Sequence, residues 1–148
     1  MVVFYHRRSK EWKVIFSSYE EVATFTGMGE EKARRSVKEL VRRKLLFVER
    51  PGVYRLRRGK KNIYLPSSLA TATLTYKERA YLSLVWSLIE AQGDGTYAYL
   101  PLTDFSRLLG ESKDTVRKTI NDLTSKELLS KERYGRYLRF KPLFPVIV

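Results

Sequence analysis

One stretch of the sequence is written twice, and this repeat limits what the chain can fold into. Residues 27–46 read GMGEEKARRSVKELVRRKLL, and residues 110–129 read GESKDTVRKTINDLTSKELL. Gly27 aligns with Gly110, Arg34 aligns with Arg117, and the conservative pairs between them keep the same offset of 83 residues. A period this long that occurs only twice predicts two small domains of one type and not a solenoid.

The alignment runs without a gap from residues 20–57 to residues 103–140, and it pairs Gly52 with Gly135 and Tyr54 with Tyr137. A chain of 148 residues has the length of one average domain or of two small ones. We therefore predict an N-terminal domain over residues 1–66 and a C-terminal domain over residues 67–148.

The second copy predicts a pair of helices joined by a glycine turn. Thr103 is a candidate N-cap for the first helix, and Gly110 supplies the left-handed residue that ends it. The apolar residues of this helix are Leu102, Phe105, Leu108 and Leu109. Ser112 is a candidate N-cap for the second helix, and Val116, Ile120 and Leu123 recur at the spacing of an inward face.

Further elements flank this helix pair. Thr75 and Glu78 have the spacing of a capping box, which opens a predicted helix over residues 76–91. Its predicted inward stripe is Ala80, Leu84, Val85, Leu88 and Ile89. The segment YAYL (97–100) predicts a short strand, and LLSKERYGRYLRF (128–140) predicts a β-hairpin that turns at Tyr134-Gly135.

The first copy keeps the helix pair but not the helix before it. Ser18 and Glu21 can cap its first helix. Shifting the 76–91 helix back by 83 residues runs off the start of the chain, so we expect this copy to lack its first helix. The segment MVVFYHRRSKEWKVIF predicts one or two strands in its place. The expected inward residues of the pair are Val22, Phe25, Ala33, Val37 and Leu40.

The charge of the chain indicates a polyanionic partner. Lys and Arg number 29 and Asp and Glu number 16, a formal net charge of +13. Residues 1–66 hold 17 basic and 7 acidic side chains, a net charge of +10, so the first half attracts phosphate more strongly. Nucleic acid is the first expectation and an anionic membrane the second. No stretch has the roughly 20 apolar residues of a membrane span, and no secretory signal begins the chain, so we expect a cytoplasmic, nucleoid-associated protein.

The residue types leave little room for catalysis. The sequence has no Cys and a single His, His6, so one chain holds neither a thiolate metal site nor a pair of His ligands. We therefore expect no metal, no cofactor and no enzymatic activity. Few thermolabile side chains and many Lys, Arg and Glu indicate a thermostable protein.

The order of helix, short strand, helix, glycine turn, helix and hairpin resembles the winged helix-turn-helix family of DNA-binding domains. The Gly-x-Ser turn at residues 110–112, the run TVRKTINDL (115–123) and the following KELL carry this resemblance. More narrowly, residues 63–90 followed by the helix pair look like DNA-binding modules of plasmid replication initiators. The resemblance implies an α+β fold of two tandem winged helix-turn-helix domains, the first without its first helix and beginning with β-strands.

The resemblance also implies double-stranded DNA as the partner and outward side chains as the contacts. The second helix of the second copy would offer Lys113, Thr115, Arg117, Lys118 and Asn121, and its wing would offer Arg133, Arg136 and Arg139. The first copy would offer Lys32, Arg34, Arg35 and Lys38 from its helix, and its wing region would offer Arg50, Arg55, Arg57, Arg58, Lys60 and Lys61.

Alternatives stay open at this point. Glu30 and Glu31 stand where this family usually presents cations or small polar groups, which keeps a protein-interaction scaffold possible for the first copy. An RNA-binding or single-strand-binding module could use the same basic surface. The role could be transcription control, replication initiation or segregation in a plasmid or virus. The tyrosines Tyr54, Tyr64, Tyr134 and Tyr137 are interpreted as structural.

The apolar end of the chain, LFPVIV, is unusual for a terminus, where polar residues are the norm. We expect it to help cover the helix pair of the first copy, within the chain or across a homodimer. The residues predicted to be buried are Leu143, Phe144, Val146 and Ile147.

Overall fold

The computed structural model describes residues 2–59, 65–71 and 73–144. The chain divides into two compact units, both built from helices and an antiparallel sheet. Unit one comprises Met1–Asn62 and Ser67–Tyr76, and unit two comprises Ile63–Pro66 and Lys77–Val148. The segment Ser67–Tyr76, which a boundary after residue 66 assigns to the second domain, therefore groups with unit one.

Unit one has a three-stranded sheet in the order β1-β3-β2, with both strand pairs antiparallel. Two helices separate β1 from the β2–β3 hairpin along the chain. The elements are α1 Val2–Arg7, β1 Lys13–Ile15, α2 Tyr19–Thr26, α3 Glu30–Arg42, β2 Leu46–Arg50, β3 Val53–Leu56 and α4 Ser68–Thr71.

Unit two repeats this order with a longer opening helix, and its sheet has the equivalent order β4-β6-β5. The opening helix, α5, starts at the last residue of unit one. The elements are α5 Tyr76–Gln92, β4 Ala98–Tyr99, α6 Leu102–Leu109, α7 Lys113–Ser125, β5 Leu129–Tyr134 and β6 Tyr137–Pro142.

Local chemistry sets the ends of the paired helices. The Ser18 hydroxyl accepts a hydrogen bond from the Glu21 amide at 3.2 Å, and Ser112 caps α7 in the same way through the Thr115 amide. Gly27 and Gly110 end the first helix of each pair in the left-handed conformation, which was predicted for Gly110. The prediction of Thr103 as an N-cap is wrong, because α6 already begins at Leu102.

The second helix of each pair ends in the same way. Lys44 and Glu127, 83 residues apart, have φ angles of 58° and 56°. The next amide, from Leu45 or Leu128, donates a hydrogen bond to the carbonyl five residues earlier, at 2.9 and 3.0 Å. This is the Schellman arrangement, formed here without glycine. The repeat in sequence therefore extends to the detail of a helix end.

The core of unit two confirms the inward stripe predicted for the second helix. Val116, Ile120 and Leu123 of α7 are fully buried, and Phe105 of α6 packs edge-on to Phe140 of β6 at 5.0 Å between ring centroids. Of the apolar residues of α6, Phe105 is fully buried and Leu108 is half exposed.

The predicted stripe of α5 is only partly right. Val85 and Ile89 are buried as expected, but Ala80 is exposed, whereas Tyr81 and Leu82 are buried. The helix buries a wider face than a single stripe, because aromatic and polar residues between the aliphatic ones also point inward.

The first helix of unit one exists, so the expectation that this copy lacks one is wrong. Of the one or two strands predicted over residues 1–16, β1 (Lys13–Ile15) forms, but it follows the helix. Val3 and Phe4 of α1 are buried, and the Phe4 ring packs against Phe16 and Tyr54 at 5.1 and 5.7 Å. With the offset of 83, α1 matches the last turns of α5. Burial of these side chains overrides the strand propensity of the apolar run. The segment α4 packs against α1 and completes the cover.

The inward residues predicted for the paired helices of unit one are mostly confirmed. Val22, Ala33 and Val37 are buried, and Leu40 is half-buried against the core. Phe25 is 44% exposed, and the guanidinium of Arg7 lies over its ring at 4.0 Å.

The two hairpins differ in length, which corrects the gapless alignment at its end. Tyr54 pairs with Val48 in unit one, whereas Phe140 pairs with Lys131 in unit two, so Tyr54 corresponds to Phe140 and not to Tyr137. Five residues separate the partners in unit one and eight in unit two. Three extra residues therefore lengthen the second hairpin.

The apolar end of the chain is described only up to Phe144. Leu143 is 37% exposed, so the prediction of its burial is wrong. Phe144 is half-buried, and its carbonyl accepts a hydrogen bond from the Trp86 indole at 3.2 Å. Val146 and Ile147 lie outside the described residues. Among the helices that are described, none is both long enough and apolar enough to cross a membrane.

The two hairpin glycines give a matched stability test. Gly52 has a φ of 81°, and a Cβ there would lie 2.7 Å from the Phe16 carbonyl oxygen, whereas Gly135 has a φ of 61° in open space. We expect Gly52→Ala to lower the free energy of unfolding by about 3 kcal/mol and Gly135→Ala by about 1 kcal/mol. Chemical denaturation of both variants measures this difference. Equal losses would contradict the close approach at Gly52.

Candidate nucleic-acid interface

The outward face of α7 carries polar and basic side chains opposite the buried stripe. Lys113, Arg117, Lys118 and Asn121 are all exposed. Arg117 lies 3.3 Å from Asp114, whose side chain is 94% exposed, so water can replace this contact readily. Among the described residues, Lys113 and Lys118 form no ion pair. Four of the side chains that were predicted to face outward on this helix are therefore accessible to a ligand.

Thr115 has a different position from the other predicted contacts on this helix. Its side chain is half-buried, and its hydroxyl lies 2.9 Å from the Ser112 hydroxyl that caps α7. Lys131 of β5 is an exposed cation beside these residues that the sequence reasoning missed, and its ammonium group lies 3.5 Å from the Asn121 amide oxygen. The sequence pattern gives no signal for this contact, because it joins a strand and a helix whose relative placement depends on the tertiary fold.

The tip of the β5–β6 hairpin presents two of its three predicted arginines. Arg133 and Arg136 are exposed and form no ion pair within the described part of the chain. Arg139 is instead engaged on the sheet, where it bonds to Glu132 at 2.6 Å and lies over the Tyr97 ring at 4.1 Å. The hydrogen bond to the Glu132 carboxylate raises the pKa of Arg139, and the negative charge of Glu132 offsets the positive charge of this arginine.

The matching helix of unit one, α3, has its first turn occupied by internal ion pairs. Arg34 lies 3.9 Å from Glu30 and 3.6 Å from Glu31. Tyr76 belongs to the same unit. The Lys32 ammonium donates a hydrogen bond to its hydroxyl and lies 4.1 Å from the centre of its ring. Lys32 and Arg34 therefore both contact side chains of their own unit, and the carboxylates beside Arg34 are 57% and 68% exposed, so water can also replace those ion pairs.

The remaining predicted contacts of α3 lie one turn further along. Arg35 and Lys38 are exposed, and no ion pair engages them within the described residues. They occupy the positions that Lys118 and Asn121 hold in α7. Lys113 of unit two stands in the place of Glu30, and Asp114 alone remains of the two first-turn carboxylates, so the two helices offer different charges from the same frame.

A tight cluster closes the end of α3. Arg42 donates to both oxygens of Glu39 at 2.9 and 2.6 Å, and Arg43 donates to one of them at 2.9 Å. These hydrogen bonds lower the pKa of Glu39 to about 2. One carboxylate thus serves two guanidinium groups, which leaves net positive charge at this end.

The predicted wing of unit one is only partly available to a ligand. Arg55 lies 3.7 Å from Glu49 and 4.9 Å from the centre of the Phe47 ring. Arg58 lies over Trp12 at 5.2 Å, and Arg57 is exposed. Arg50 is also exposed, on β2. Lys60 and Lys61 lie outside the described residues.

The described residues contain no cluster of three or more His, Asp or Glu side chains that could hold a metal ion. The comparisons with protein-family models, with curated proteins and with solved structures each found no match. The assignment of a function therefore depends on the geometry of the basic surfaces.

The Glu39 cluster predicts a specific response to acid. Because the folded pKa of about 2 lies below the ordinary value of 4.5, the contribution of Glu39 is present above pH 4.5 and is lost as the pH falls towards 2. We expect Glu39→Gln to melt below the wild type at pH 6 and the difference to shrink between pH 4.5 and 2. Thermal melts across this range measure it. A difference independent of pH would contradict the assignment.

Proposed function

We propose that both units are winged helix-turn-helix domains and that the chain binds double-stranded DNA sequence-specifically. The observation that carries this proposal is in unit two. There a glycine-linked helix pair packs its second helix inward through Val116, Ile120 and Leu123 and leaves three cations and one amide exposed on the opposite face. An antiparallel hairpin with exposed arginines at its tip accompanies this helix.

The exposed side chains of α7 suit the major groove of DNA. A helix fits this groove, where an arginine can donate two hydrogen bonds to guanine and an asparagine can pair with adenine. Arg117 and Asn121 lie four residues apart and so share one face of the helix. Lys113 and Lys118 can neutralise phosphates on either side. The arginines of the hairpin tip would then contact the backbone or the minor groove.

Unit one would contribute mainly affinity. The carboxylates of Glu30 and Glu31 repel phosphate at the start of α3, so Arg35 and Lys38 are the helix contacts that remain. Arg50 and Arg57 add charge on the hairpin side. The net charge of +10 over residues 1–66 suits backbone neutralisation, which positions a protein without reading bases.

A protein that reads duplex DNA through two such domains would act as a transcription regulator or as a replication initiator of a plasmid or virus. A basic surface can also serve RNA or single-stranded DNA. Competition between a duplex, its separated strands and an RNA of the same sequence distinguishes these partners. Tighter binding to either single-stranded nucleic acid would overturn the proposal. Selection of bound duplexes from a random pool would give the recognised sequence.

The exposed cations of α7 provide the direct test. We expect Arg117→Ala with Lys118→Ala to weaken duplex binding by at least tenfold, because a good bidentate base contact alone is worth about 1–3 kcal/mol. The slope of log affinity against log salt should fall by about 1 for each phosphate that the variant no longer neutralises. Fluorescence anisotropy with a selected duplex measures both.

The matched control removes the same charge elsewhere in unit two. Lys77 on α5 and Lys141 on β6 are replaced by alanine together, which should change affinity far less. Wild-type affinity should fall roughly 10³ to 10⁵ between 50 and 200 mM salt if six to ten phosphates are bound. If both double variants lost the same affinity for the duplex, the loss would be a non-specific effect of charge, and the proposed interface on α7 would be contradicted.

The first turn of α3 gives an independent test of unit one. We expect Glu30→Gln with Glu31→Gln to tighten duplex binding severalfold at low salt, because the change removes two negative charges and releases Arg34. The gain should vanish at high salt. Replacing Glu90 and Glu127 of unit two by glutamine is the charge-matched control. Unchanged affinity would favour unit one as a protein-docking module.

A further inference from the structure

The three extra residues of the β5–β6 hairpin form a segment that unit one lacks. Residues 133–137, Arg-Tyr-Gly-Arg-Tyr, make up this wing tip. Its last cross-strand pair is Tyr134 with Tyr137, and Arg133 pairs with Leu138 just before it. In unit one the corresponding turn closes directly after the pair of Arg50 with Val53.

Both tyrosine rings of the wing tip face solvent. Tyr134 is 55% exposed and Tyr137 is 56% exposed. The Tyr134 ring is supported from below, because it packs edge-on to Tyr99 at 5.7 Å and lies 4.9 Å from the Arg139 guanidinium. Tyr137 has no ring contact or hydrogen bond within the described residues. The wing tip thus presents the Tyr134 ring, which packs against neighbouring side chains, and the Tyr137 ring, which has no such contact within the described residues.

The fold itself does not require this exposure. Tyr54 of unit one, which the gapless alignment paired with Tyr137, takes the place of the buried Phe140 in the sheet, so the shorter hairpin of unit one has no counterpart of either exposed ring. Removing the three extra residues would leave a hairpin of the kind that unit one already forms. The exposed rings therefore point to a ligand contact.

We propose that the wing tip is an aromatic wedge that stacks the Tyr137 ring on a nucleobase of the DNA that α7 binds. This inference depends on the proposed function. Tyr134 would support the wedge from the protein side, while Arg133 and Arg136 would contact phosphates beside the opened step. Aromatic rings stack on bases of any sequence, and wedges of this kind insert where base steps unstack easily.

The charge around the rings favours a nucleic acid over a protein as the occupant. Lys131, Arg133 and Arg136 are exposed cations of the hairpin, and its single carboxylate, Glu132, is already bonded to Arg139. Aliphatic side chains, which a protein-docking surface would usually add, are absent from the exposed residues of the wing tip. A tyrosine ring flanked by arginines is complementary to a nucleobase flanked by phosphates, because the ring can stack on the base and the guanidinium groups can pair with the phosphates.

The experiment uses the full chain and a selected duplex in which 2-aminopurine replaces adenine at successive positions. We expect wild-type binding to change the fluorescence of the probe at one or two adjacent positions beside the α7 site. Tyr137→Phe, which keeps the ring, should keep this response. Tyr137→Thr, which removes the ring but keeps a residue that suits a β-strand, should abolish it and weaken binding about 5- to 150-fold.

Arg136→Gln separates charge from stacking, since it should lower the salt dependence but keep the fluorescence response. A wild type with no response at any position would overturn the wedge whether or not the variants fold. So would a Tyr137→Thr variant that keeps the response, or a Tyr137→Phe variant that loses it. A wild type that does not bind duplex at all would instead overturn the proposed function, so the two failures are distinguishable.

Discussion

Burial of the inward stripe of the second helix, α3 or α7, is the interaction on which the rest of each unit depends. Val37 in unit one and Ile120 in unit two occupy the same place and are almost completely buried. Burying one such side chain is worth about 1.5–3 kcal/mol, so the rotation of the helix about its axis is fixed. That rotation decides which side chains remain outside. The basic face of α7 is therefore a consequence of its apolar face.

A single frame carries different surfaces in the two units. In α3 two first-turn carboxylates, Glu30 and Glu31, lie beside Arg34, whereas in α7 only Asp114 pairs with Arg117 at the same position. The hairpins diverge further, since one closes early and the other extends to Tyr134 and Tyr137. If DNA is the partner, unit one supplies mainly charge and unit two supplies recognition. A chain with two identical repeats could not divide the task in this way.

The part of the site that the sequence predicted is the part governed by local periodicity. Spacing along α7 identified Lys113, Arg117, Lys118 and Asn121 as outward, because helical geometry ties them to the inward stripe. The same reasoning counted Arg139 among the available wing cations. It could not detect the contact of Arg139 with Glu132, because pairing across strands depends on the register of the hairpin.

By itself the sequence determined the repeat, the α+β character, the glycine turns at Gly27 and Gly110 and the strongly basic balance. These properties depend on neighbours within a few residues, whose geometry the backbone enforces. Only the tertiary structure decided that residues 2–7 are helical and that Tyr54 corresponds to Phe140. It alone showed which charges are already paired. Contacts between distant segments set these outcomes, since burial and pairing outweigh local propensity by several kcal/mol.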